Sequence, residues 1–236
     1  MRILGTFDGH HTHQRMSDIS RRAGLAIPTC HRLLGDLVAA GALQRTEDGH
    51  YSVGRSLWTI AMSAPLQRSI RDVAVPYMQD LLRATGQVVN LFVLEGDSVL
   101  VLERIGGTAV GPPVTIAGAH LPLHTSAGGK VLLAHSESDL LGRVLGNLFR
   151  ETDRSITDPD ILLRELEQVR RRGWAMSAGE HHPNSWGVSV PVRVVDDRVV
   201  AALGVVSFVP IKQPQPLISA LQVVATAIGR QIRRQG

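Results

Sequence analysis

The most constraining feature of this sequence is the order of elements that its first 53 residues predict: short helix, helix, tight turn, helix and hairpin. Apolar spacing in residues 3–7 predicts the first short helix. Ser17 is a good N-cap for the following segment SDISRRAG, and Gly24 is well suited to end that helix. Pro28 can then open the next helix in its first turn. Two helices joined by a three-residue connection form a helix-turn-helix.

The second helix and the hairpin complete a winged helix-turn-helix. Apolar residues of the helix recur at intervals of three and four and form one buried face, at Leu33, Leu34, Leu37 and Val38. Gly41 is predicted to end this helix. Segments 43–45 and 50–53 flank Thr46-Glu47-Asp48-Gly49, whose Asp-Gly pair is a strong hairpin signal.

The exposed start of the second helix is the predicted DNA contact, because this helix enters the major groove in such units. Thr29 and the N–H groups of the first turn suit a phosphate oxygen, and Arg32 can read guanine or clamp a phosphate. In the hairpin, Arg45, His50 and Tyr51 can reach the DNA backbone or the minor groove. The predicted DNA-binding residues are Ser17, Pro28, Thr29, His31, Arg32, Arg45 and Tyr51. A helix-turn-helix that only builds a protein core is the alternative.

Composition predicts a globular protein and excludes several other classes. The 236 residues are 44% apolar and carry a net charge of +4, which excludes a disordered chain. A single cysteine, Cys30, excludes an internal disulfide framework and an all-thiolate metal cage. No secretion signal opens the sequence, and its longest apolar stretch, 199–211, is shorter than the roughly 20 residues that span a bilayer. We therefore expect a soluble, cytoplasmic protein with no membrane partner.

The cationic residues are strongly biased towards arginine. All but Lys130 and Lys212 of the 25 cationic residues are Arg. Arginine suits planar contacts to phosphate and guanine, although a GC-rich genome produces the same bias. The case for DNA binding therefore depends on the local motif rather than on the net charge.

The remainder of the chain changes from helical to mixed patterns. Residues 55–84 are predicted to be helical, with a break near Pro65, and to form the connection that leads out of the first domain. Strands are predicted over 87–94, 98–105, 114–117, 188–195 and 199–206. Helices are predicted over 136–146, with Ser136 and Asp139 as a capping box, over 159–172, capped by Thr157 or Asp158, and over 217–232. Because strands and helices do not alternate regularly, we expect an α+β domain with an antiparallel sheet flanked by helices.

The segment LPLHTSAGGKVLLA, residues 121–134, contains the second candidate site. Its small residues 126–129 predict a loop that opens a helix, and the exposed N–H groups of such a turn can hold a carboxylate. A phosphate-binding loop fits poorly, because the Ser or Thr that holds magnesium and the upstream glycine are missing. Ser126 and His124 suggest a nucleophile and a base, but neither Ser126 nor Ser189 lies in a G-x-S-x-G elbow. No catalytic residue is assigned.

Ten histidines raise the hypothesis of a metal site. Neighbouring histidines, which supply at most part of a tetrahedral site, occur at His10, His11, His13, His181 and His182. His120 and His124 are four residues apart, but Pro122 opposes the helix that would align them. We therefore predict no metal and no cofactor, and we keep a metal-sensing regulator as an alternative. Glu180, together with His181 and Asn184, is also a candidate for the mouth of a ligand pocket.

Three segments together resemble the IclR family of bacterial transcription regulators: residues 16–54, residues 121–134 and residues 189–205 (SVPVRVVDDRVVAALGV). The resemblance runs from about Met1 to Arg230. It implies a winged helix-turn-helix over 1–53, a linker helix over 54–65 and an effector-binding and oligomerisation domain similar to the PAS and GAF folds over 66–236. It also implies a homodimer or a dimer of dimers on double-stranded operator DNA, acting as a repressor or an activator.

The same resemblance implies a pocket for a small organic or aromatic acid. It places Leu121, Ala127, Gly128, Ser177, Gly187, Gly204 and Val206 in this pocket, to which the loop itself adds Ser126. Ser177 stands where an acidic residue can occur in the family, and Gly187 where a cysteine can. These replacements leave more room and fewer hydrogen-bond partners, so we expect an aromatic acid or a related catabolic intermediate. The alternatives are a pocket filled by its own side chains and a small-molecule enzyme with an accessory helix-turn-helix domain.

Overall fold

The computed structural model describes residues 2–7, 11–61, 65–106 and 116–235. They divide into two compact units, residues 1–68 and 69–236. The strand predicted at 114–117 begins outside the described residues, and its last two residues form no strand; His10 also lies outside them. In these ranges, no helix is both long enough and apolar enough to cross a membrane.

The first unit is a helical domain with a two-stranded wing. Its elements are a 3₁₀ turn Leu4–Thr6, α1 Met16–Ala23, α2 Ile27–Ala39, β1 Leu43–Arg45, β2 Tyr51–Val53 and α3 Arg55–Ala61. A core of Ile3, Ile19, Cys30, Leu34, Leu43 and Tyr51 holds them together. The predicted order of elements and the hairpin of antiparallel β1 and β2 are confirmed. The predicted first helix is a single 3₁₀ turn.

Helix α1 begins two residues earlier than the predicted cap at Ser17 implies. Its N-cap is Arg15, which makes no side-chain capping bond, and Ser17 lies exposed inside the first turn. The prediction that Ser17 is the N-cap is therefore wrong. The physical reason is tertiary: Gln14 and Tyr51 exchange backbone hydrogen bonds of 3.0 and 2.8 Å, which hold the chain extended up to the helix start. Gly24 ends the helix as predicted, with φ +61°.

Helix α2 matches its predicted boundaries. Pro28 lies in its first turn, and Gly41 follows its end with φ +68°. There the N–H of Gly41 donates to the carbonyl of Val38 and that of Ala42 to Leu37, which is the Schellman pattern. Of the predicted apolar face, Leu34 is fully buried, and the other three residues are partly buried against the core.

The second unit is built on a six-stranded antiparallel sheet. Its elements are α4 Pro65–Thr85, β3 Val88–Glu95, β4 Ser98–Ile105, β5 His120–Pro122, α5 Ala127–Ala134, α6 Ser138–Leu145, α7 Pro159–Arg172, β6 Ala175–Ala178, β7 Trp186–Arg193, β8 Val199–Ser207 and α8 Gln215–Gln235. The strand order is β5-β4-β3-β8-β7-β6. This confirms the predicted α+β class.

Helices cover both faces of this sheet. Helices α4 and α8 pack on one face, where alternate residues of β3, β7 and β8 form a Val- and Leu-rich core. Helices α5, α6 and α7 pack on the opposite face, around Phe92, Val101 and Ala202. The sheet is therefore a central layer, and the start of α5 lies directly above its middle strands.

Two local predictions in this unit have opposite outcomes. Asp158 caps α7 as predicted, since its carboxylate accepts N–H bonds from Asp160 and Ile161 at 2.8 and 3.0 Å. The capping box of Ser136 and Asp139 is wrong, because α6 begins at Ser138 and the Ser136 hydroxyl donates instead to the carbonyl of Leu133.

Candidate DNA-binding and effector sites

The leading turn of α2 presents a continuous exposed surface. Pro28, Thr29, His31 and Arg32 are exposed, while Cys30 between them is buried in the core. No side chain caps the helix, so its first turn keeps N–H groups for a phosphate oxygen. Arg32 Nη1 lies 3.2 Å from Asp36 Oδ2, and both side chains of this ion pair are exposed.

Ile27 belongs to the same surface and was missed by the sequence reasoning. It is the first residue of α2, and 57% of it is exposed. The periodic pattern indicated that apolar residues of this helix face the core, so it gave no sign of an apolar residue on the DNA side. An exposed isoleucine at this position can contact a thymine methyl group.

Arg45 is the cationic residue of the wing that the sequence predicts to contact DNA. Arg45 is exposed, and its guanidinium lies over the Tyr51 ring, 5.6 Å from the ring centroid. Tyr51 itself is only 5% exposed and belongs to the core. Tyr51 therefore supports Arg45, and we do not place it among the direct DNA contacts.

The start of α5 is pressed against the sheet. Ser126 is the N-cap; its hydroxyl accepts the N–H of Gly129 at 3.0 Å. A Cβ at Gly128 would overlap with the ring of Phe92, and one at Gly129 would overlap with the backbone of Leu123. Glycine is therefore required at both positions, because the helix start lies too close to Phe92 and Leu123 for a side chain. The sequence indicated this only as a run of small residues.

The predicted ligand residues converge on one cavity below this helix start. Seven of them line it: Leu121, Ser126, Ala127, Gly128, Ser177, Gly187 and Val206. Gly204 lies beneath Ser189 on the neighbouring strand, and a Cβ there would overlap with the Ser189 hydroxyl. Residues that the sequence reasoning missed are Phe92, Ser185, Ser189 and Val205, whereas His181, a candidate for the pocket mouth, does line the cavity. Ser189 lies two residues after Gly187 and hence on the same face of β7, so the two-residue period of a strand could have indicated it once Gly187 was assigned to the pocket.

The cavity is smaller and more polar than expected. Its volume is about 30 Å³, which is room for only one or two waters. Four serine hydroxyls line it, contrary to the expectation of few hydrogen-bond partners. Two of them are already engaged: Ser177 donates to the carbonyl of Thr125 at 2.8 Å, and Ser126 donates to the carbonyl of Pro122 at 3.1 Å while it accepts the N–H of Gly129. In this conformation the cavity is nearly filled by its own walls.

Lys130 of α5 and Glu180 form a buried ion pair. The Lys130 ammonium, 1% exposed, lies 2.9 and 3.0 Å from the two carboxylate oxygens of Glu180. Burial raises the pKa of Glu180, and the charge of Lys130 opposes that rise. Ser155 donates to the Glu180 carbonyl at 2.7 Å and fixes the backbone of this residue. The pair joins α5 to the turn after β6; the sequence gave no sign of it.

An outer cleft of about 400 Å³ adjoins the cavity. It lies between β5, α6 and the loop that follows α6, and its lining includes His120, His124, Arg143, Phe149 and His181. His124 donates from Nε2 to the carbonyl of Phe149 at 3.0 Å, and the two rings meet edge to face with centroids 4.9 Å apart. His181 Nδ1 lies 2.7 Å from the Glu151 carboxylate.

The described histidines pair with single carboxylates at most, as His120 does with Glu95 and His181 with Glu151. Among the residues that the structure describes, no group of three His, Cys, Asp or Glu side chains is arranged to hold a metal ion. His120 lies in β5 and His124 in the turn after it, so they share no helix, as Pro122 predicted.

Comparison with known proteins identifies both units. Residues 1–47 match the IclR helix-turn-helix domain, and residues 63–230 match the bacterial transcriptional regulator IclR C-terminal domain. The chain belongs to the IclR family. This IclR-family protein is a ligand-responsive transcriptional regulator that binds DNA through its helix-turn-helix. It is not an enzyme, which excludes the enzyme alternative.

Relatives and solved structures extend this likeness over nearly the whole chain. The IclR-family chain is 32% identical to the HTH-type transcriptional regulator XynR of Escherichia coli (strain K12) over 206 residues, which are 86% of this chain and 82% of XynR. It is 30% identical to the regulator BhcR of Paracoccus denitrificans (strain Pd 1222), over 80% of this chain and 69% of BhcR. An IclR homolog from Microbacterium hydrocarbonoxydans, complexed with 4-hydroxybenzoate, is 33% identical with a TM-score of 0.90, covering 99% of this chain and 97% of that chain.

Proposed function

We propose that this regulator is controlled by an aromatic carboxylic acid that binds at the start of α5. The single observation that carries the proposal is the convergence of Ala127, Gly128, Ser177, Gly187 and Val206 on one cavity. The solved neighbour that contains 4-hydroxybenzoate supports the ligand class. A bound acid would direct its carboxylate to the N–H groups of the first turn of α5.

The proposal extends to the way in which the regulator binds DNA. Pro28, Thr29, His31 and Arg32 of α2 enter the major groove, Arg45 of the wing contacts the backbone, and Ser17 lies on α1 beside them. Residues 1–53 form the DNA-binding domain, 54–65 the linker and 66–236 the effector domain. As a homodimer or a dimer of dimers in the bacterial cytoplasm, the protein presents paired recognition helices, and the effector changes their spacing or orientation.

Isothermal titration of the full chain tests the choice of effector. We expect 4-hydroxybenzoate and benzoate to bind more tightly than glyoxylate and pyruvate, because a ring buries apolar surface that a keto acid lacks. Tighter binding of the keto acids would contradict the proposal.

A charge variant tests the location of the site. Ser177→Asp adds a carboxylate to the cavity wall and should weaken binding of the acid at least tenfold by like-charge repulsion. Ser219→Asp, on the exposed face of α8, is the matched control and should leave the affinity unchanged. Equal affinities of the two variants would exclude this cavity as the site.

A further inference from the structure

The inner cavity and the outer cleft are neighbours of very different size. The cavity holds about 30 Å³ and the cleft about 400 Å³, whereas sites for small organic ligands generally measure about 300 to 1,000 Å³. Leu121 and His181 line both spaces. An aromatic acid therefore does not fit the cavity as it stands, but fits the two spaces once they are joined.

Most described walls of the cavity are fixed by packing or hydrogen bonds. Gly128 lies against the ring of Phe92, and Ser177 is bonded to the carbonyl of Thr125. Leu121 lies in β5, paired in register with Val99 of β4. Moving any of these residues disrupts the sheet or the start of α5.

His181 is held much less firmly. It lies in the turn between β6 and β7, and its Nδ1 is hydrogen-bonded to Glu151, in the loop between α6 and α7. Both side chains of this pair are partly exposed, 23% for His181 and 22% for Glu151. Because water competes for such a bond, the ring can leave its position at a low cost in free energy.

We propose that the effector site has two parts, the inner cavity and the outer cleft, and that His181 is the movable wall between them. This inference rests on the proposed function. The inner part takes the carboxylate end of the acid at the start of α5. The outer part takes the remainder of the ligand, against Phe149, Pro122 and the ring of His124. The ligand class is accordingly an aromatic acid that extends beyond a single small ring, including acids with two fused rings.

The cleft also has an electrostatic pattern that suits the outer end of such a ligand. Arg143 is paired with Asp97 at its rim, with Nη2 and Oδ1 2.7 Å apart. His124 donates from Nε2 to the Phe149 carbonyl, which fixes the orientation of its ring. Because Arg143 is already paired and the carboxylates of Asp97 and Glu151 also line the cleft, a ligand with an uncharged, hydroxylated outer end is preferred over one with a second carboxylate.

Removal of the His181 side chain tests this inference. Stopped-flow and calorimetric titrations of the full chain with 4-hydroxybenzoate and 2-naphthoate compare wild type, His181→Ala and the matched control His182→Ala, whose residue is exposed and lines neither space. His181→Ala should speed association about tenfold, because the competent state no longer depends on a minor conformer. It should also strengthen binding of 2-naphthoate more than that of 4-hydroxybenzoate. His182→Ala should match wild type.

Two further variants keep the test decisive if His181→Ala folds poorly. Glu151→Gln is a nearly isosteric change in the cleft wall that weakens the charged anchor of His181, and it should shift the association rate in the same direction. Asn147→Trp fills the cleft from its α6 side and should slow association at least tenfold. The inference is overturned if wild type binds the acids but these variants leave rate and size preference unchanged. If wild type binds no aromatic acid, the proposed function fails, and the inference fails with it.

Discussion

Gly128 and Gly129 determine how closely α5 approaches the sheet, and their effect can be measured at the scale of single residues. Gly128→Ala places a methyl group against the Phe92 ring and should lower the free energy of unfolding by about 1–3 kcal/mol through overpacking. The matched control is Gly142→Ala in α6, where a Cβ meets no atom within 4 Å. This control should gain about 0.5–1 kcal/mol from helix propensity. Denaturant unfolding of both variants checks the prediction, and a neutral Gly128→Ala would contradict the close approach.

The most specific prediction for DNA recognition concerns Arg32. Against an operator obtained by in vitro selection, Arg32→Ala should weaken specific binding by about 1–3 kcal/mol if its guanidinium reads a base. Gel shifts at fixed salt measure this change. The control Arg164→Ala, on the exposed part of α7, should leave the affinity unchanged. An unaltered shift for Arg32→Ala would exclude this role.

The Lys130–Glu180 pair gives a prediction about stability. Lys130→Met leaves a buried carboxylate without its cation and should cost about 3–5 kcal/mol, measured by denaturant unfolding. The double variant Lys130→Met/Glu180→Leu removes both charges and should recover most of that loss. A double variant as unstable as the single one would show that the pair does not act through its charges.

At the scale of elements, α5 contacts the sheet at both of its ends. Its start lies over the cavity, while His135 follows its end and bridges to β7. His135 Nδ1 donates to the Val131 carbonyl at 2.9 Å, and Nε2 accepts from Arg193 at 2.8 Å. This defines a neutral ring. Burial lowers the pKa of His135, and the charges of Arg193 and Arg170 lower it further.

The lowered pKa of His135 predicts a pH dependence of stability. The unfolded chain protonates this residue near pH 6.5, and the folded chain does so only at lower pH. The stabilisation is therefore present above about pH 6.5 and is lost as the pH falls towards the folded-state pKa. His135→Gln should flatten this fall in unfolding free energy between about pH 7 and 5, whereas His182→Gln should follow wild type. Parallel curves for wild type and His135→Gln would refute the assignment.

Elements with their own local signals could be predicted from the sequence. Helices α2 and α7 were predicted correctly, because Pro28 and Asp158 mark where they begin and Gly173 marks where α7 ends. The short edge strands β5 and β6 have three and four residues, too few to show an alternation, and they form only because the neighbouring strands are present. The cavity residues Gly187 and Val206 followed from the family resemblance, whereas Phe92, Ser185 and the pairing of Lys130 with Glu180 depend on contacts that no local pattern encodes.

At the scale of the whole molecule, the cores of the two units have no residue in common. The core of the first unit lies within residues 3–51, and both cores of the second lie within 70–228. A fragment of residues 63–236 should therefore unfold cooperatively and bind 4-hydroxybenzoate with a Kd within about twofold of the full chain. Thermal unfolding and calorimetry check this. A fragment that is folded but does not bind would show that the site needs the N-terminal unit.

The contact between Gly128 and Phe92 also limits how such a regulator can diversify over evolutionary time. Any side chain added at Gly128 would collide with the ring, so descendants of this gene have little freedom to vary the anchor that we propose for a carboxylate. The opposite wall is less constrained, since a Cβ at Gly187 meets nothing nearer than 3.6 Å. New chemical preferences should therefore accumulate along the strands while the anion anchor is inherited unchanged.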